Sequence, residues 1–336
     1  MKGDLAEKMI KFQKNVKLAP CTTFRIGGSA SFFCEAKNEE EILEALEFAR
    51  GKNLPIFLLG GGSNVLVNDK GFSGVVIKIS NFKFQISNLR ITCDAGCLLS
   101  KIVNESVKAN LTGLEWAAGI PGTIGGAVRG NAGAFGGAMA NVVDSVKVLN
   151  IQNTKTQDTK QNTGYKTQDL KLLQIMNYKL QDCKFLYRDS IFKKNPNLII
   201  LSAVLKLKKG DKSESEKRVK EILAKRKKKQ PTDFPSPGSF FKNPIAKDKK
   251  LVEQYETDTG NKIRDGRIPA PWLIEEAGLK GKKIGSAMVS EKHANFIVNT
   301  GKATAEDVIM LAAIIKTRVR NKFGIQLKEE VEMVGF

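Results

Sequence analysis

Five stretches place reactive or ligand-binding residue types close together. GGGSN (Gly60, Gly61, Gly62, Ser63, Asn64) directly follows the apolar run PIFLL. Successive backbone N–H groups freed by glycine form a concavity for an anion, and short polar side chains add donors, which suits a pyrophosphate. A tight turn alone explains one or two of those glycines. A longer cluster, GIPGTIGGAVRGNAGAFGG, occupies 119–137 with few bulky polar side chains. Such a backbone surface can lie flat against a planar ring system while its N–H groups meet heteroatoms. A packing crossing would explain Gly125 and Gly126 alone. YRDSIFK (187–193) joins the guanidinium of Arg188 to Asp189, and that guanidinium could grip a carboxylate bidentately with Asp189 holding it in place. GSFFKNP (238–244) sets Ser239 in a proline-restricted loop beside Lys242 and Asn243, where the hydroxyl could donate a proton. In LKEEVEMVG, alternation puts Glu330 and Glu332 on one face and Glu329 on the other; adjacent glutamates by themselves read as a solvated face.

Several chemistries are disfavoured. Neither glycine cluster fits the spaced P-loop pattern, and no G-x-G-x-x-G opens a helix after the first strand. The G-x-S-x-G frame of a serine nucleophile is missing too. His293 is the only histidine, which argues against His-rich zinc sites and leaves no metal site expected. The five cysteines (Cys21, Cys34, Cys93, Cys97 and Cys183) read as reduced thiols used as small apolar residues.

The net charge of +20, from 55 basic and 35 acidic residues, admits two readings. Basic residues are spread widely, and the densest run, KRKKKQ (225–230), closes a helix instead of forming a tail. No nucleic-acid-binding motif accompanies them, so an anionic small molecule is favoured over nucleic acid. A polar start without an apolar signal core, and no long uncharged apolar run, lead to the expectation of a cytoplasmic protein. Neither nucleic acid nor membrane is expected as a partner, and the chain is expected to be a monomer.

The elements that must carry these stretches alternate along the first half. Asn38 caps an amphipathic helix EEEILEALEFARGK; PIFLL, VLV, GVVIKI and LRITCDAG read as strands, and 98–110 as a second helix. The segment 151–182 is rich in Gln, Asn, Thr and Lys, which predicts a surface excursion or extended hairpin. A strand at 198–208 and a helix at 213–229 follow, then a polar insertion at 247–267. Thr304 and Asp307 form a capping box for a long helix over 303–323, and 325–336 alternates as a final strand. The expected fold class is α/β or α+β, with a break near 208–212.

Taken together and in order, these motifs resemble the UDP-N-acetylenolpyruvoylglucosamine reductases. The matching segments are TTFRIGG, LLGGGSNVLV, GLEWAAGIPGTIGGAVRGNAGAFGG, YRDSIFK, PSPGSFFKNP, PAPWLIEEAGLKGKKIG, KHANFIVN and LKEEVEMVG, and they span nearly the whole chain. The resemblance implies an α+β protein. Its FAD-binding domain of the vanillyl-alcohol-oxidase type would span 18–208, with two α/β subdomains at about 18–78 and 79–208. A C-terminal α+β substrate-binding domain would span 209–336. It further implies that Gly60, Gly61, Gly62, Ser63 and Asn64 hold the FAD diphosphate. Gly119, Ile120, Pro121, Gly122, Gly125, Gly126, Asn131, Gly133 and Ala134 would line a non-covalent flavin. Arg188, Ser239 and Glu330 become the catalytic set, and Lys229, Lys242 and Asn243 candidates for binding the UDP-sugar.

The implied reaction uses NADPH to reduce FAD, and the reduced flavin then delivers hydride to the methylene carbon of the enolpyruvyl ether. Arg188 would polarise the substrate carboxylate, Glu330 would orient it or share a proton, and Ser239 would protonate the adjacent carbon. The short connection from YRDSIFK to GSFFKNP resembles the subtype without a tyrosine-bearing capping loop, leaving Tyr165, Tyr178 and Tyr255 as weak candidates to cover the substrate. The alternatives are another FAD oxidoreductase of the same fold, or a non-catalytic nucleotide- or RNA-binding module.

Overall fold

The structure, a computed structural model, describes residues 10–80, 82–151 and 173–336. The chain opens with β1 (Gln13–Lys17), β2 (Ser29–Ala36), α1 (Glu39–Gly51), β3 (Ile56–Leu59), β4 (Val65–Val67), β5 (Phe72–Ile79), β6 (Phe84–Ser87) and β7 (Arg90–Asp94). Next come α2 (Leu99–Lys108), β8 (Leu111–Thr112), α3 (Ile124–Arg129), β9 (Gly133–Ala134), β10 (Gly137–Ala138), β11 (Val143–Asn150), β12 (Gln174–Lys179), α4 (Ile191–Lys194), β13 (Leu198–Lys206) and β14 (Lys208–Lys209). The remainder is α5 (Lys212–Lys229), α6 (Lys249–Thr259), α7 (Ala270–Glu276), β15 (Lys283–Ile284), β16 (Ala287–Val289), β17 (Ile297–Asn299), α8 (Ala305–Phe323) and β18 (Glu332–Val334).

Local chemistry fixes the helix ends. The Asn38 carboxamide oxygen accepts from the Glu41 N–H (2.8 Å), and Glu39, Glu40 and Glu41 face the positive end of the α1 dipole. At α8 the Thr304 hydroxyl accepts from the Asp307 N–H and the Asp307 carboxylate from the Thr304 N–H, both at 3.0 Å. Asp69 takes two further amides of that first turn, Ala305 at 2.9 Å and Glu306 at 3.2 Å. Among the described residues no helix is long and apolar enough to cross a membrane.

The described residues fall into two compact units. The first draws on Met1–Val16, Ala30–Gly61 and Phe72–Leu223. It holds a four-stranded sheet in the order β1-β2-β5-β3, in which β5 runs parallel to both β2 and β3. A five-stranded antiparallel sheet follows, in the order β12-β11-β13-β7-β6. Ile42, Ala45, Leu46 and Ala49 of α1 pack with Cys34, Val75 and Ile77. A larger core gathers α2, α3 and the inner face of the five-stranded sheet around Ile102, Ile124, Val146 and Leu205. Strand β12 lies within the segment 151–182 read as a polar excursion or hairpin, and pairs antiparallel with β11 from Ser145↔Lys179 to Asn150↔Gln174. Residues 152–172, including Tyr165, lie outside the described residues.

The second unit draws on Lys17–Ser29, Gly62–Gly71 and Ala224–Phe336. Its core joins Phe24, Ile26 and Leu66 to Phe240, Phe241, Trp272, Leu311 and Ile315. Two expectations change here. The segment 247–267, read as a polar insertion, contains helix α6, capped where the Asp248 carboxylate accepts from the Lys250 N–H (2.9 Å). Its apolar pair Leu251 and Tyr255, four residues apart, both face the core, and the Tyr255 ring lies 5.5 Å edge-on from Trp272. Tyr255 is therefore a core residue. The final strand is also shorter than alternation suggested, because the chain changes partner partway. Glu329 bridges to Phe241, whereas only Glu332–Val334 pairs, parallel, with β4.

Of the cysteines, Cys34, Cys93, Cys97 and Cys183 are buried thiols outside any disulfide. Burial pushes Cys34 and Cys183 up to about 12 and Cys97 up to about 11, and raises Cys93. They stay protonated and serve as small apolar side chains.

Candidate functional site: two glycine loops and the segments of Ser239 and Glu330

In the first unit the two glycine-rich loops meet backbone to backbone. A Cβ placed on Gly60 would lie 2.7 Å from the Thr123 hydroxyl oxygen, and one on Gly61 would lie 2.7 Å from the Gly122 Cα. Neither position has room for a side chain. Gly119 (φ +75°) and Gly122 (φ +122°) use conformations that L side chains rarely adopt. Gly119, Pro121 and Gly126 are exposed, and the nearest atom to a Cβ on Gly126 is the Thr123 hydroxyl at 3.7 Å. The result is a bare main-chain surface that a flat cofactor can approach closely, so the residues present fit a flavin nucleotide.

Not every glycine of 119–137 serves that surface. The Gly125 N–H donates to the Ala95 carbonyl (2.8 Å), and its Cα hydrogen faces the Ala95 methyl, where a Cβ would come within 2.8 Å. Packing of α3 on β7's exit accounts for it. Thr123 caps α3 through the Gly126 N–H (3.4 Å). Gly133–Ala134 and Gly137–Ala138 form a hairpin whose two central residues, Phe135 (φ +50°) and Gly136 (φ +86°), suit a type I′ turn. A side chain on Gly137 would enter the Trp116 indole.

Two buried polar groups hold this region. The Glu115 carboxylate accepts from the Thr112 hydroxyl (2.7 Å), the Gly113 N–H (2.8 Å) and the Ser215 hydroxyl (2.8 Å). Burial works to raise the Glu115 pKa, but hydrogen bonds from Thr112, the amides of Glu115 and Gly113, and Ser215 outweigh it and hold the carboxyl below its usual range. Asn131 sits in the left-handed region (φ +42°) and is buried. Its side-chain N–H donates to the Leu186 carbonyl (2.9 Å), and its oxygen accepts from the Ala140 N–H (3.0 Å). Asn131 thus ties the second glycine cluster to the turn carrying Arg188. That turn is closed by reciprocal backbone bonds between Leu186 and Asp189 (3.0 and 3.1 Å), and Arg188 itself adopts φ +55°. The Asp189 carboxylate accepts from the Ser190 N–H (3.0 Å) and pairs with Lys194 (3.4 Å). Ser190 caps α4 and donates its hydroxyl proton to the Arg129 carbonyl at 2.6 Å.

In the second unit, Ser239 and Glu330 lie on neighbouring extended segments. The Glu330 N–H donates to the Phe240 carbonyl (2.8 Å) and the Lys242 N–H to the Lys328 carbonyl (2.9 Å). Ser239, Lys242 and Glu330 are half-buried on this ladder. Asn64 joins it, donating from its side chain to the Glu330 carbonyl (3.1 Å) and accepting the Glu332 N–H on its main-chain carbonyl (3.0 Å). Gly62 adopts φ +60° and its carbonyl accepts from the Thr23 N–H (3.0 Å). The Asn243 side-chain oxygen accepts from the Ala270 N–H at the start of α7 (3.0 Å). Lys229 is exposed at the end of α5, where the Lys292 ammonium donates to the Lys227 carbonyl (2.6 Å). Thr123, Glu115 and Asn295, which support these groups, were not singled out from the sequence. A threonine placed three residues before Gly126 is the available signal for the first; Glu115 meets the distant Ser215 as well as its neighbours Thr112 and Gly113, and the partners of Asn295 are distant in the chain.

His293 is enclosed beside this ladder, its ring 4.7 Å from Phe296. Burial pushes its pKa down to about 4, with Lys280 and Lys229 adding to the shift. A base whose folded pKa is lowered binds fewer protons than the unfolded chain, so its stabilising effect is complete above about pH 6.5 and is lost as pH falls toward 4. Stability of the second unit is expected to fall by about 2 kcal/mol from this residue between pH 6.5 and 5. Denaturant melts of wild type and His293→Phe across that range check it; an unchanged pH slope in the variant overturns the assignment.

Two family models match different parts of the chain. Residues 230–334 match the family model described as the C-terminal domain of UDP-N-acetylenolpyruvoylglucosamine reductase, and residues 30–160 match an FAD binding domain. The chain is 38% identical to the UDP-N-acetylenolpyruvoylglucosamine reductase of Caldanaerobacter subterraneus over 97% of its own length and 94% of that protein's. With the Clostridium tetani reductase it shares 37% identity over 94% and 89%. The solved structure of the UDP-N-acetylenolpyruvylglucosamine reductase from Thermus caldophilus aligns with a TM-score of 0.72 at 33% identity, covering 97% of this chain and all of that one. Fold, loop geometry and kinship agree: the chain belongs to the UDP-N-acetylenolpyruvoylglucosamine reductase family.

Proposed function

We propose that this chain reduces the enolpyruvyl ether of UDP-N-acetylglucosamine-enolpyruvate to UDP-N-acetylmuramate in peptidoglycan synthesis, with FAD as cofactor and NADPH as electron donor. The observation that carries the site assignment is the ladder, Phe240 to Glu330 and Lys242 to Lys328, that joins the segment carrying Ser239 to the segment carrying Glu330 within the span of the reductase C-terminal domain. FAD, once reduced by NADPH, would supply the hydride that converts the substrate methylene to a methyl group. Gly60 and Gly61, with Ser63, would hold its diphosphate, and the bare surface at Gly119–Gly122 and Gly126 would hold its ring system. In this division the flavin domain spans 18–208 and the substrate domain 209–336.

The other steps belong to side chains. Arg188 grips the substrate carboxylate and stabilises the negative charge that develops there as hydride arrives. Glu330 orients that carboxylate or shares a proton with it. The Ser239 hydroxyl gives its proton to the carbon bearing the ether oxygen, and the resulting alkoxide recovers a proton from solvent. Lys229, Lys242 and Asn243 engage the diphosphate and uridine, and the strongly basic surface favours the approach of both anionic reactants. The cytoplasm is the compartment where both reactants are available, and the chain acts there as a monomer.

The purified protein is expected to be yellow. Its visible flavin absorbance is expected to bleach on anaerobic addition of NADPH and to return on addition of the enolpyruvyl sugar nucleotide. A colourless protein, or flavin that NADPH leaves oxidised, overturns the proposal.

A further inference from the structure

Ser239 lies on an extended segment that uses both of its edges. On one edge, Phe240 and Lys242 make the ladder bonds to Glu330 and Lys328. In an antiparallel pair the residue between two such bonds turns its own N–H and C=O the other way, here those of Phe241. Among the described residues no strand meets that outward edge at Phe241; the side chain of Asn295 does. Its oxygen accepts from the Phe241 N–H (2.9 Å), its amide donates to the Phe241 carbonyl (2.8 Å), and its main-chain carbonyl accepts from the Phe240 N–H (2.7 Å). A carboxamide has the same donor and acceptor pair as a peptide unit, so Asn295 completes the ladder as one residue of a missing strand. Asn295 is 2% exposed and Phe241 1%, so water cannot replace these bonds.

We infer that Asn295 is a positioning residue for the proton-transfer step: it locks the segment that carries Ser239 against the segment that carries Glu330. The inference rests on the proton-donor role proposed for Ser239. Asn295 touches neither reactant in this account. Without it, two buried main-chain groups of Phe241 lose their partners and the segment shifts to find others. A shift of about 1 Å at a reacting group can cost about 100-fold in rate. Flavin reduction by NADPH needs no proton from Ser239 and is expected to be spared.

The test compares half-reactions by rapid mixing in Asn295→Ala, Asn295→Asp, Ser239→Ala and Ile315→Val. The last removes one methyl group from the core beneath α8 and serves as the purely structural control. Asn295→Ala is expected to reduce its flavin with NADPH within about twofold of wild type and to reoxidise it with the enolpyruvyl sugar nucleotide about 100-fold more slowly. Asn295→Asp keeps the acceptor but loses the donor, and should fall between. A second readout is the new stereocentre, since a displaced donor lets solvent protonate either face; proton NMR of the product should show two diastereomers for Asn295→Ala and one for Ile315→Val. An Asn295→Ala protein with both half-reactions and stereochemistry like Ile315→Val overturns the inference. So does a failure of both Asn295 variants to fold, which would make the residue a folding element only. Full reoxidation by Ser239→Ala instead overturns the proton-donor reading beneath it.

Discussion

Ser239→Ala is expected to leave flavin reduction by NADPH at its wild-type rate while slowing reoxidation by the enolpyruvyl substrate by about 10²- to 10⁴-fold, the usual worth of a positioned proton donor. The substitution removes one oxygen and no backbone partner, so the Phe240–Glu330 and Lys242–Lys328 ladder bonds persist. The loss should therefore appear in kcat and kcat/KM together, as befits an interaction made only while the proton moves. Half-reaction stopped-flow measures it directly, and undiminished turnover would remove Ser239 from the mechanism.

Gly61→Val should act at the opposite end of the chemistry, on the cofactor. Its Cβ would come within 2.7 Å of the Gly122 Cα, and both contacting groups are main chain. No rotamer relieves such a clash, so the two loops must part. Overpacking of this kind costs about 1–3 kcal/mol, and here it falls on the surface that has to meet the flavin. Protein purified from the variant is expected to be pale or colourless, with FAD affinity weakened about 5- to 150-fold by titration. Gly136→Ala is the matched comparison, because its site is open on all sides. A yellow Gly61→Val protein would show that the contact between the loops is not where the cofactor is gripped.

Elements whose causes are local were legible from sequence. The α1 cap at Asn38 and the α8 capping box use partners three residues apart, and both helices start where that chemistry puts them. The helix in 247–267 carried similar signals, an Asp248 cap and Gly260 at its end, but its apolar face is only two residues wide and composition masked it. The candidate site was legible as an ordered set of motifs, and less so in what each residue does. Asn64, Asn131 and Asn243 stood out beside glycines and lysines as ligand contacts. In the structure their side chains hold the Glu330 carbonyl, the Leu186 carbonyl and the Ala270 amide. An asparagine satisfies a main-chain group as readily as a ligand, and which one it meets depends on chain that arrives from far away.

The make-up of the second unit bears on how the protein can be made and dissected. Its core joins Phe24, Ile26 and Leu66 to residues far along the chain, and β4 (Val65–Val67) pairs with the equally distant β18 (Glu332–Val334). Asp69 caps α8 across a similar separation. A ribosome-bound chain therefore carries these apolar residues without their partners until residues 240–334 have been made, a period in which they depend on chaperones or slow collapse. A fragment cut at residue 230 would begin life without its second strand, its helix cap and part of its core. The gene can be read as two domains in tandem, but the polypeptide cannot be divided there.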